Sequence, residues 1–233
     1  MSGGKHKNMK TELAVDFTTI CGLTRLGKQC AYCYVGVNRE CGGLFAKIET
    51  DRERYDGWVL RLRGEMREKL QAGGGLRLFG SGDYLPEHRE DMQQLLDDCV
   101  TVGLKARALT KSLVFVSHFA KHPAIRVISL GIDGLPRTMN RSPVTWKTAQ
   151  RLRDKHDVVQ VRAVVCYAEE LDRMAAEPWI DVLTLYHGPK TEHGFHHFTR
   201  QEYEAAVKKY GVERFCSTHQ ECSTCSAKCG KGC

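Results

Sequence analysis

The sequence lacks any long apolar run, since none of its hydrophobic stretches approaches the roughly 18 residues that a membrane-spanning helix needs. The first ten residues are polar and basic, without the apolar core of a secretory signal peptide. No pattern repeats with a period of roughly 20 to 50 residues, which argues against a solenoid or a propeller. We therefore expect a cytoplasmic protein that does not enter a membrane, with 233 residues that suffice for one substantial domain.

The chain also lacks an arginine-rich run and any RNA-binding signature. Its charge is nevertheless positive, because 35 Lys and Arg residues outnumber 28 Asp and Glu residues and give a formal net charge of +7. Positive charge attracts polyanions such as nucleic acid through long-range electrostatics. The charge alone therefore fits both a nucleic-acid-binding protein and an ordinary soluble protein with a basic surface.

Cysteine, by contrast, is abundant and unevenly distributed, with eleven residues in the chain. A first group consists of Cys21, Cys30 and Cys33, and Cys41 follows it. Five more lie in the last eighteen residues: Cys216, Cys222, Cys225, Cys229 and Cys233. An odd number of cysteines fits disulfide pairing poorly, and disulfide-rich secreted proteins are usually shorter and carry a signal peptide. The two groups therefore predict metal binding in a reducing compartment.

Short apolar segments alternate with segments of helical spacing along most of the chain. The alternation predicts six strands, which cover residues 13–19, 76–79, 104–110, 125–132, 158–166 and 181–186. Such alternation is typical of a parallel sheet with crossover helices. Six units are fewer than the eight of a full TIM barrel. We therefore predict an α/β fold, specifically a partial (β/α)6 TIM-like barrel with a C-terminal cysteine-rich, cluster-binding extension.

The same pattern predicts several details of this fold. The short, apolar strands indicate a sheet that is covered on both faces. A helix over residues 143–155 is expected to have Ser142 as its N-cap, and a last helix over residues 199–210 starts with a capping box. We divide the chain into a barrel, residues 1–190, and a C-terminal segment with the terminal cysteines, residues 191–233. Because chemistry in parallel α/β folds lies at the carboxyl ends of strands, the loops after the strands should gather on one rim.

The first cysteine group has the spacing Cys21-x8-Cys30-x2-Cys33 and directly follows the first predicted strand. A Cys-x-x-Cys pair places two sulfurs close enough for one metal centre, and an earlier cysteine at a strand end reaches the same centre through a loop. Three thiolates satisfy three irons of a four-iron cluster and leave the fourth iron open for another ligand. A zinc site completed by Cys41 and a redox-active Cys-x-x-Cys pair are the alternatives.

The segment Cys30-Ala-Tyr-Cys33-Tyr34 resembles the second half of the radical SAM motif, in which an aromatic residue precedes the last cysteine. Tyr32 occupies that aromatic position. The usual motif is Cys-x3-Cys-x2-Cys, and the first gap is longer here, as it is in several radical SAM groups. Spore photoproduct lyase and its phage-associated relatives have turns after strands two and three that are similar to two further segments: Phe79-Gly-Ser-Gly-Asp83 and Leu109-Thr110-Lys111-Ser112.

The resemblance implies an enzyme that reductively cleaves S-adenosylmethionine (SAM) at a 4Fe-4S cluster. The reduced cluster passes one electron to the sulfonium of SAM, which yields methionine and a 5′-deoxyadenosyl radical. That radical abstracts hydrogen from a substrate, for which nucleic acid or a nucleotide, a peptide and a small metabolite stay open. An electron donor such as flavodoxin or ferredoxin is implied as a partner. The competing hypothesis is a non-enzymatic, zinc-binding basic protein that binds nucleic acid.

The resemblance also assigns cofactor-binding roles. Tyr32 belongs to the cluster-binding motif. In the family, the turn after the second strand contacts the methionyl amino group of SAM, and an Asp stands here in place of the family's Glu. The residues that match this turn are Gly80, Ser81, Gly82 and Asp83.

Further roles fall on residues at the ends of later strands. Ser129 and Asp133 flank the fourth predicted strand, where family members often bind the ribose of SAM. Arg162 is expected to pair with the carboxylate of SAM. Lys111 is a catalytic candidate that contacts the SAM carboxylate or a substrate anion, and Cys166 is a candidate hydrogen donor to a substrate radical. A solvated lysine and a plain turn after the fourth strand are the alternatives for Lys111 and Asp133.

The terminal cysteines are separated by gaps of 5, 2, 3 and 3 residues and lie among Gly and Ser, which do not build a core. Four thiolates fit either zinc or a second four-iron cluster. Auxiliary clusters are common at the C-terminus of radical SAM enzymes, which favours a second 4Fe-4S cluster. Its predicted ligands, with Cys233 as a substitute for one of them, are Cys216, Cys222, Cys225 and Cys229.

Anaerobic reconstitution with iron and sulfide is expected to give a brown protein that carries up to about eight irons, because two four-iron clusters are predicted. Metal analysis of the reconstituted chain checks this. A colourless protein that holds about one or two zinc ions would instead support the nucleic-acid-binding alternative.

Overall fold

The computed structural model describes residues 13–15, 58–73, 75–79, 83–133, 144–186 and 194–216. Within these ranges six parallel strands form one sheet, and the order across the sheet follows the order in the sequence. The prediction of an α/β fold with a parallel sheet is confirmed. The strands are β1 (Leu13–Val15), β2 (Leu76–Leu78), β3 (Ala106–Thr110), β4 (Ile125–Asp133), β5 (Val159–Val165) and β6 (Val182–Leu185).

The helices of the described residues pack against one side of this sheet. Connections between adjacent parallel strands are right-handed almost without exception, so a sheet with this sequential order has its crossover helices on one face. None of these helices is long and apolar enough to cross a bilayer. They are α1 (Trp58–Arg61), α2 (Gly64–Gly73), α3 (Arg89–Thr101), α4 (Leu113–Phe119), α5 (Trp146–Lys155), α6 (Glu170–Ala176) and α7 (Arg200–Tyr210).

The sheet has one apolar face and one face with many polar side chains, and on β3 and β4 the polar face is buried as well: Arg107, Ser129 and Asp133 are at most 3% exposed. Along β5 the residues Val159, Val161, Ala163 and Val165 are buried, whereas the residues between them are partly exposed. The four buried residues belong to one hydrophobic core with the buried residues of the helices. This alternation is what a sheet covered by helices on one face requires.

The opposite face carries polar side chains at matching heights on neighbouring strands. Arg77 pairs in register with Arg107, and Ser129 pairs with Gln160. Arg162 follows two residues later on β5 and therefore lies on the same face as Gln160. Because paired positions of parallel strands direct their side chains to the same face, the polar residues of β2 to β5 gather on the side away from the helices.

Local capping sets where two of the helices begin. Thr145, not Ser142, is the N-cap of α5, because its hydroxyl accepts a hydrogen bond from the backbone N–H of Thr148 at 3.2 Å. Ser142 lies outside the described residues. The predicted capping box at the start of α7 is confirmed: the Thr199 side chain accepts from the Glu202 backbone, and the Glu202 side chain accepts from Thr199.

Leu130→Ala on β4 is expected to lower the free energy of unfolding by about 2–5 kcal/mol, because Leu130 is fully buried and its truncation leaves a cavity. Leu60→Ala on α1 is the matched control; Leu60 is 42% exposed, and the expected loss is below about 1 kcal/mol. Urea denaturation followed by circular dichroism measures both. Equal losses would contradict the placement of the core between the helices and this face of the sheet.

Candidate active site

Lys111 and Asp133 form a buried ion pair at the carboxyl ends of β3 and β4. The Lys111 Nζ lies 2.7 Å from Asp133 Oδ2, and the two side chains are only 9% and 2% exposed. The lysine stem passes over Gly131, where an added Cβ would lie 3.3 Å from Lys111 Cγ. Lys111 is therefore a buried residue of the sheet rim and not a solvated lysine.

Asp83 holds the chain after β2 against the end of β3. Its Oδ1 accepts hydrogen bonds from the Tyr84 backbone N–H, at 2.7 Å, and from the Thr110 hydroxyl. Its Oδ2 accepts from the Lys111 backbone N–H at 2.7 Å. The carboxylate thus fixes the backbone from which the Lys111 side chain extends. A direct contact between Asp83 and the amino group of SAM stays a prediction.

Burial raises the pKa of Asp83 to about 6, because the carboxyl group lies away from water. The hydrogen bonds from Thr110, Lys111 and Tyr84 act in the opposite direction, since they stabilise the charged form. The effect of burial is larger. The Asp83 carboxyl group, which fixes the backbone of Lys111, therefore changes its charge at weakly acidic pH.

On β4 and β5, three buried polar atoms of the polar face have no hydrogen-bond partner among the described residues: Asp133 Oδ1, Ser129 Oγ and Gln160 Oε1. Buried polar atoms in folded proteins are nearly always satisfied, so each of these atoms is expected to meet a partner beyond the described residues, either another part of the chain or a bound molecule. A hydroxyl can donate and accept, and the other two atoms accept. A partner at Asp133 Oδ1 or Gln160 Oε1 must therefore be a hydrogen-bond donor.

Cys166 follows β5 directly and is buried, with 1% of its surface exposed. It packs against Tyr186 and Phe195. Burial raises the pKa of its thiol to about 12; the charge of Asp133 adds to this effect, and the charge of Lys111 opposes it. Cys166 therefore keeps its hydrogen at neutral pH, which suits a hydrogen donor and does not suit a thiolate nucleophile or metal ligand.

An aromatic wall beside Cys166 was not predicted from the sequence. The Phe195 ring lies edge-on to the rings of Tyr167 and Tyr186, with centroids 5.6 and 5.3 Å away. The chain near Phe195 is attached to the strand ends, because the His196 N–H donates to the Cys166 carbonyl at 2.8 Å. No sequence signal identifies Phe195, since the aromatic residues of this loop have no periodic spacing.

Arg162 has partners other than the predicted carboxylate. Its Nε donates to Thr184 Oγ1 at 2.8 Å, and its Nη2 donates to Cys216 Sγ at 3.2 Å. A contact with SAM stays a prediction. The structure instead joins Arg162 to a cysteine that the sequence assigns to the terminal metal site.

Phe79, the residue that precedes the predicted glycine turn, has an unusual backbone conformation. Its φ is 63°, in the left-handed region that a bulky residue rarely adopts. Tertiary packing holds it there, since the Phe79 ring is buried and contacts the rings of Tyr84 and Phe115 at centroid distances of 6.1 and 5.0 Å. Backbone strain of about 1–3 kcal/mol is typical of functional loops.

Most of the predicted metal ligands lie outside the described residues, and so do four predicted cofactor contacts. No group of three or more His, Cys, Asp and Glu side chains within the described ranges could hold a metal ion. Both ligand sets therefore stay predictions. The residues concerned are Cys21, Cys30, Tyr32, Cys33, Gly80, Ser81, Gly82, Cys222, Cys225 and Cys229.

Comparison with known proteins finds no family. No model of a known protein family matches the chain. No curated protein matches it at a significant level. The functional assignment therefore depends on the cysteine motif and on the groups that the sheet brings together.

Asp83→Asn is expected to remove a pH dependence of stability. The folded chain binds the Asp83 proton more tightly than the unfolded chain, where the pKa has its ordinary value of 3.8. Raising the pH from about 4 to about 7 should therefore cost the wild-type protein stability that the Asn variant does not lose, by at most about 3 kcal/mol. Urea denaturation across this pH range measures the difference.

Asp154→Asn is the control, because the Asp154 side chain is 62% exposed. Its difference in unfolding free energy from the wild type should change little with pH. If the difference in unfolding free energy between Asp83→Asn and the wild type changed as little with pH, the conclusion that burial raises the pKa of Asp83 would be wrong.

Proposed function

We propose that this chain is a cytoplasmic radical SAM enzyme with a 4Fe-4S cluster bound by Cys21, Cys30 and Cys33. The observation that carries the proposal is the position of this motif, which begins shortly after β1 in a parallel sheet whose strands follow one another in order. Loops at the carboxyl ends of such strands build the active sites of α/β enzymes.

The two-faced sheet supports a partial (β/α)6 TIM-like barrel. In a barrel the residues that face the interior alternate along every strand with residues that face the outer helices. The alternation along β5 fits this arrangement, and so does the polar row that includes Ser129 and Gln160. The polar face is then the interior that receives the ligands.

The charged groups at the rim suit the binding of SAM. When bound, the cluster would supply the electron that breaks a carbon–sulfur bond of SAM. Lys111 and Asp133 present a buried cation beside a buried carboxylate, which suits a molecule with both a carboxylate and donor groups. The second oxygen of Asp133, which has no partner among the described residues, accepts a hydrogen bond from a ribose hydroxyl. Asp83 holds Lys111 in position.

The end of the site next to Cys166 receives the substrate, which is a nucleotide or nucleic acid, a peptide or a small metabolite. Tyr167, Tyr186 and Phe195 form an apolar wall there, and such a wall keeps water from a reactive intermediate. The neutral Cys166 thiol donates a hydrogen atom to the substrate radical, and the Cys166 thiyl radical that remains takes up one electron from the flavodoxin or ferredoxin and one proton to restore the thiol. A flavodoxin or ferredoxin supplies the electrons.

The reconstituted chain with SAM and dithionite is expected to release 5′-deoxyadenosine, measured by liquid chromatography under anaerobic conditions. Cys30→Ala should abolish the release, because it removes one of the three cluster ligands. Cys41→Ala is the matched control; it lies outside the proposed ligand set, so release should persist.

The absence of 5′-deoxyadenosine from a cluster-loaded sample, with or without candidate substrates, would contradict the proposed function. Retained cleavage in Cys30→Ala would refute the ligand assignment. A colourless zinc protein whose affinity for nucleic acid falls steeply with salt would favour the binding alternative instead.

A further inference from the structure

Helix α5 carries a row of basic side chains on its outer face. Lys147, Arg151 and Lys155 are exposed and follow one another at intervals of four residues. Residues four apart lie on the same side of a helix, about 6 Å apart along its axis. The opposite side of α5 packs into the hydrophobic core through the buried Ala149. We call the three cations the basic stripe.

The basic stripe is not neutralised by neighbouring acidic groups. Within the part of the chain that the structure describes, its three side chains take part in no hydrogen bond or ion pair. Asp154 is the one acidic residue of α5, and its carboxylate lies 3.9 Å from Arg153. Arg153 is turned away from the stripe, because it also binds Asp181 at 2.9 Å. The stripe therefore presents its full positive charge to the solvent.

Other helices pair their exposed cations with acidic residues three or four positions away. Such pairs occur on α2, α6 and α7: Lys69 with Glu65, Arg173 with Glu170 and Arg200 with Glu204. Oppositely charged pairs at this spacing stabilise a helix, and like charges at this spacing destabilise it. The arrangement on α5 thus differs from that on the other helices in a direction that does not favour the helix.

The helix dipole gives the same result. Cations are unfavourable in the first turn of a helix, where the dipole is positive, and acidic residues are favourable there. The first turn of α5 contains Lys147 and no acidic residue, whereas the first turns of α3, α6 and α7 all contain acidic residues. Of the three cations only Lys155, in the last turn, suits the dipole. The basic stripe is therefore better explained by the binding of anions than by the stability of α5.

The positive charge continues beyond the end of α5. Lys121, in the turn before β4, is exposed and has no hydrogen bond or ion pair among the described residues. It lies near His156: the pKa of this imidazole is lowered chiefly by burial, and the charges of Lys155 and Lys121 add to that effect, while Asp157 opposes it. Lys121 therefore adds a fourth cation close to the Lys155 end of the stripe.

We propose that the outer face of α5 binds the phosphate backbone of a nucleic-acid duplex through the basic stripe. A straight row of cations about 12 Å long suits a regularly charged strand. The net charge of +7 supplies the long-range attraction. Single strands usually need aromatic side chains on which their bases stack. Trp146, the aromatic residue of α5, is covered by the Arg173 guanidinium at 4.2 Å, which favours a duplex.

The basic stripe begins beside the candidate active site. Trp146 Nε1 donates to the Asp133 carbonyl at 3.3 Å, so the start of α5 is attached to the carboxyl end of β4. A duplex on α5 then passes next to the rim of the sheet, which favours nucleic acid among the substrate classes of the proposed function. The binding itself needs neither the cluster nor SAM, so its test is separate from the radical chemistry.

Fluorescence anisotropy with labelled DNA and RNA duplexes measures binding by the full chain over a range of salt concentrations. The triple variant Lys147→Gln, Arg151→Gln, Lys155→Gln should bind more weakly. The slope of log affinity against log salt should fall by about three, because each phosphate contact contributes about one. The double variant Lys147→Arg, Lys155→Arg keeps the charges and should bind as the wild type does.

The matched control removes three charges from exposed, ion-paired cations on other helices, by Lys69→Gln, Arg200→Gln and Lys209→Gln. Its slope should change by less than about one, since these residues lie outside the proposed surface. Far-UV circular dichroism shows whether each variant keeps its fold. The stripe variant should unfold at no lower urea concentration than the wild type, because the repulsion along α5 is gone.

The inference is overturned if the wild type binds neither duplex, or if the two triple variants lose the same slope. It is also overturned if a single strand of the same length binds the stripe more tightly than the duplexes, or if an acidic protein such as flavodoxin binds there and no duplex does. If the chain releases 5′-deoxyadenosine but binds no duplex, the inference fails and the proposed function stands. Duplex binding through the stripe without such release gives the opposite result.

Discussion

The candidate site depends on the ion pair between Lys111 and Asp133, which joins the carboxyl ends of β3 and β4 inside the protein. Two buried charges are stable only as a pair, since the removal of one partner leaves the other uncompensated, at a typical cost of about 3–5 kcal/mol. The surrounding residues position the two charged side chains and leave room for them. Asp83 fixes the backbone of Lys111, and Gly131 leaves room for the lysine stem. Asp133 retains one oxygen without a partner among the described residues.

The two faces of the sheet have different roles: one contributes to the hydrophobic core, and the other carries the polar groups of the candidate site. The face toward the helices contributes Val, Ile, Leu and Ala to one continuous core. The opposite face carries charged and polar groups, among them buried atoms of Ser129 and Gln160 that have no hydrogen-bond partner in the part of the chain that the structure describes. A buried polar group that stays without any partner costs about 1–3 kcal/mol, so these atoms need a partner beyond the described residues. The strained backbone of Phe79 and the Lys111–Asp133 pair lie at the carboxyl edge of the sheet, where the candidate site is.

Cys216 lies beside β6, nearly two hundred residues after the first cysteine group in the sequence. The first group follows β1, and the last begins at Cys216 beside β6. Lys111, Arg162 and Cys216 follow one another across the polar face, from β3 through β5 to the chain beside β6. The neutral Cys166 thiol and its aromatic wall lie on the same side.

The sequence by itself determined the alternation of strands and helices, the capping box of Thr199 and Glu202, and the position of Lys111 and Cys166 at strand ends. These features depend on periodicity and on groups a few residues apart, so the local order of residues specifies them. Only the tertiary structure decided which face of the sheet is polar and that Arg162 contacts Cys216, 54 residues away. It likewise brought Asp83 to the backbone of Lys111, 28 residues away. Such contacts follow from strand order and register, which pair residues that no local pattern connects.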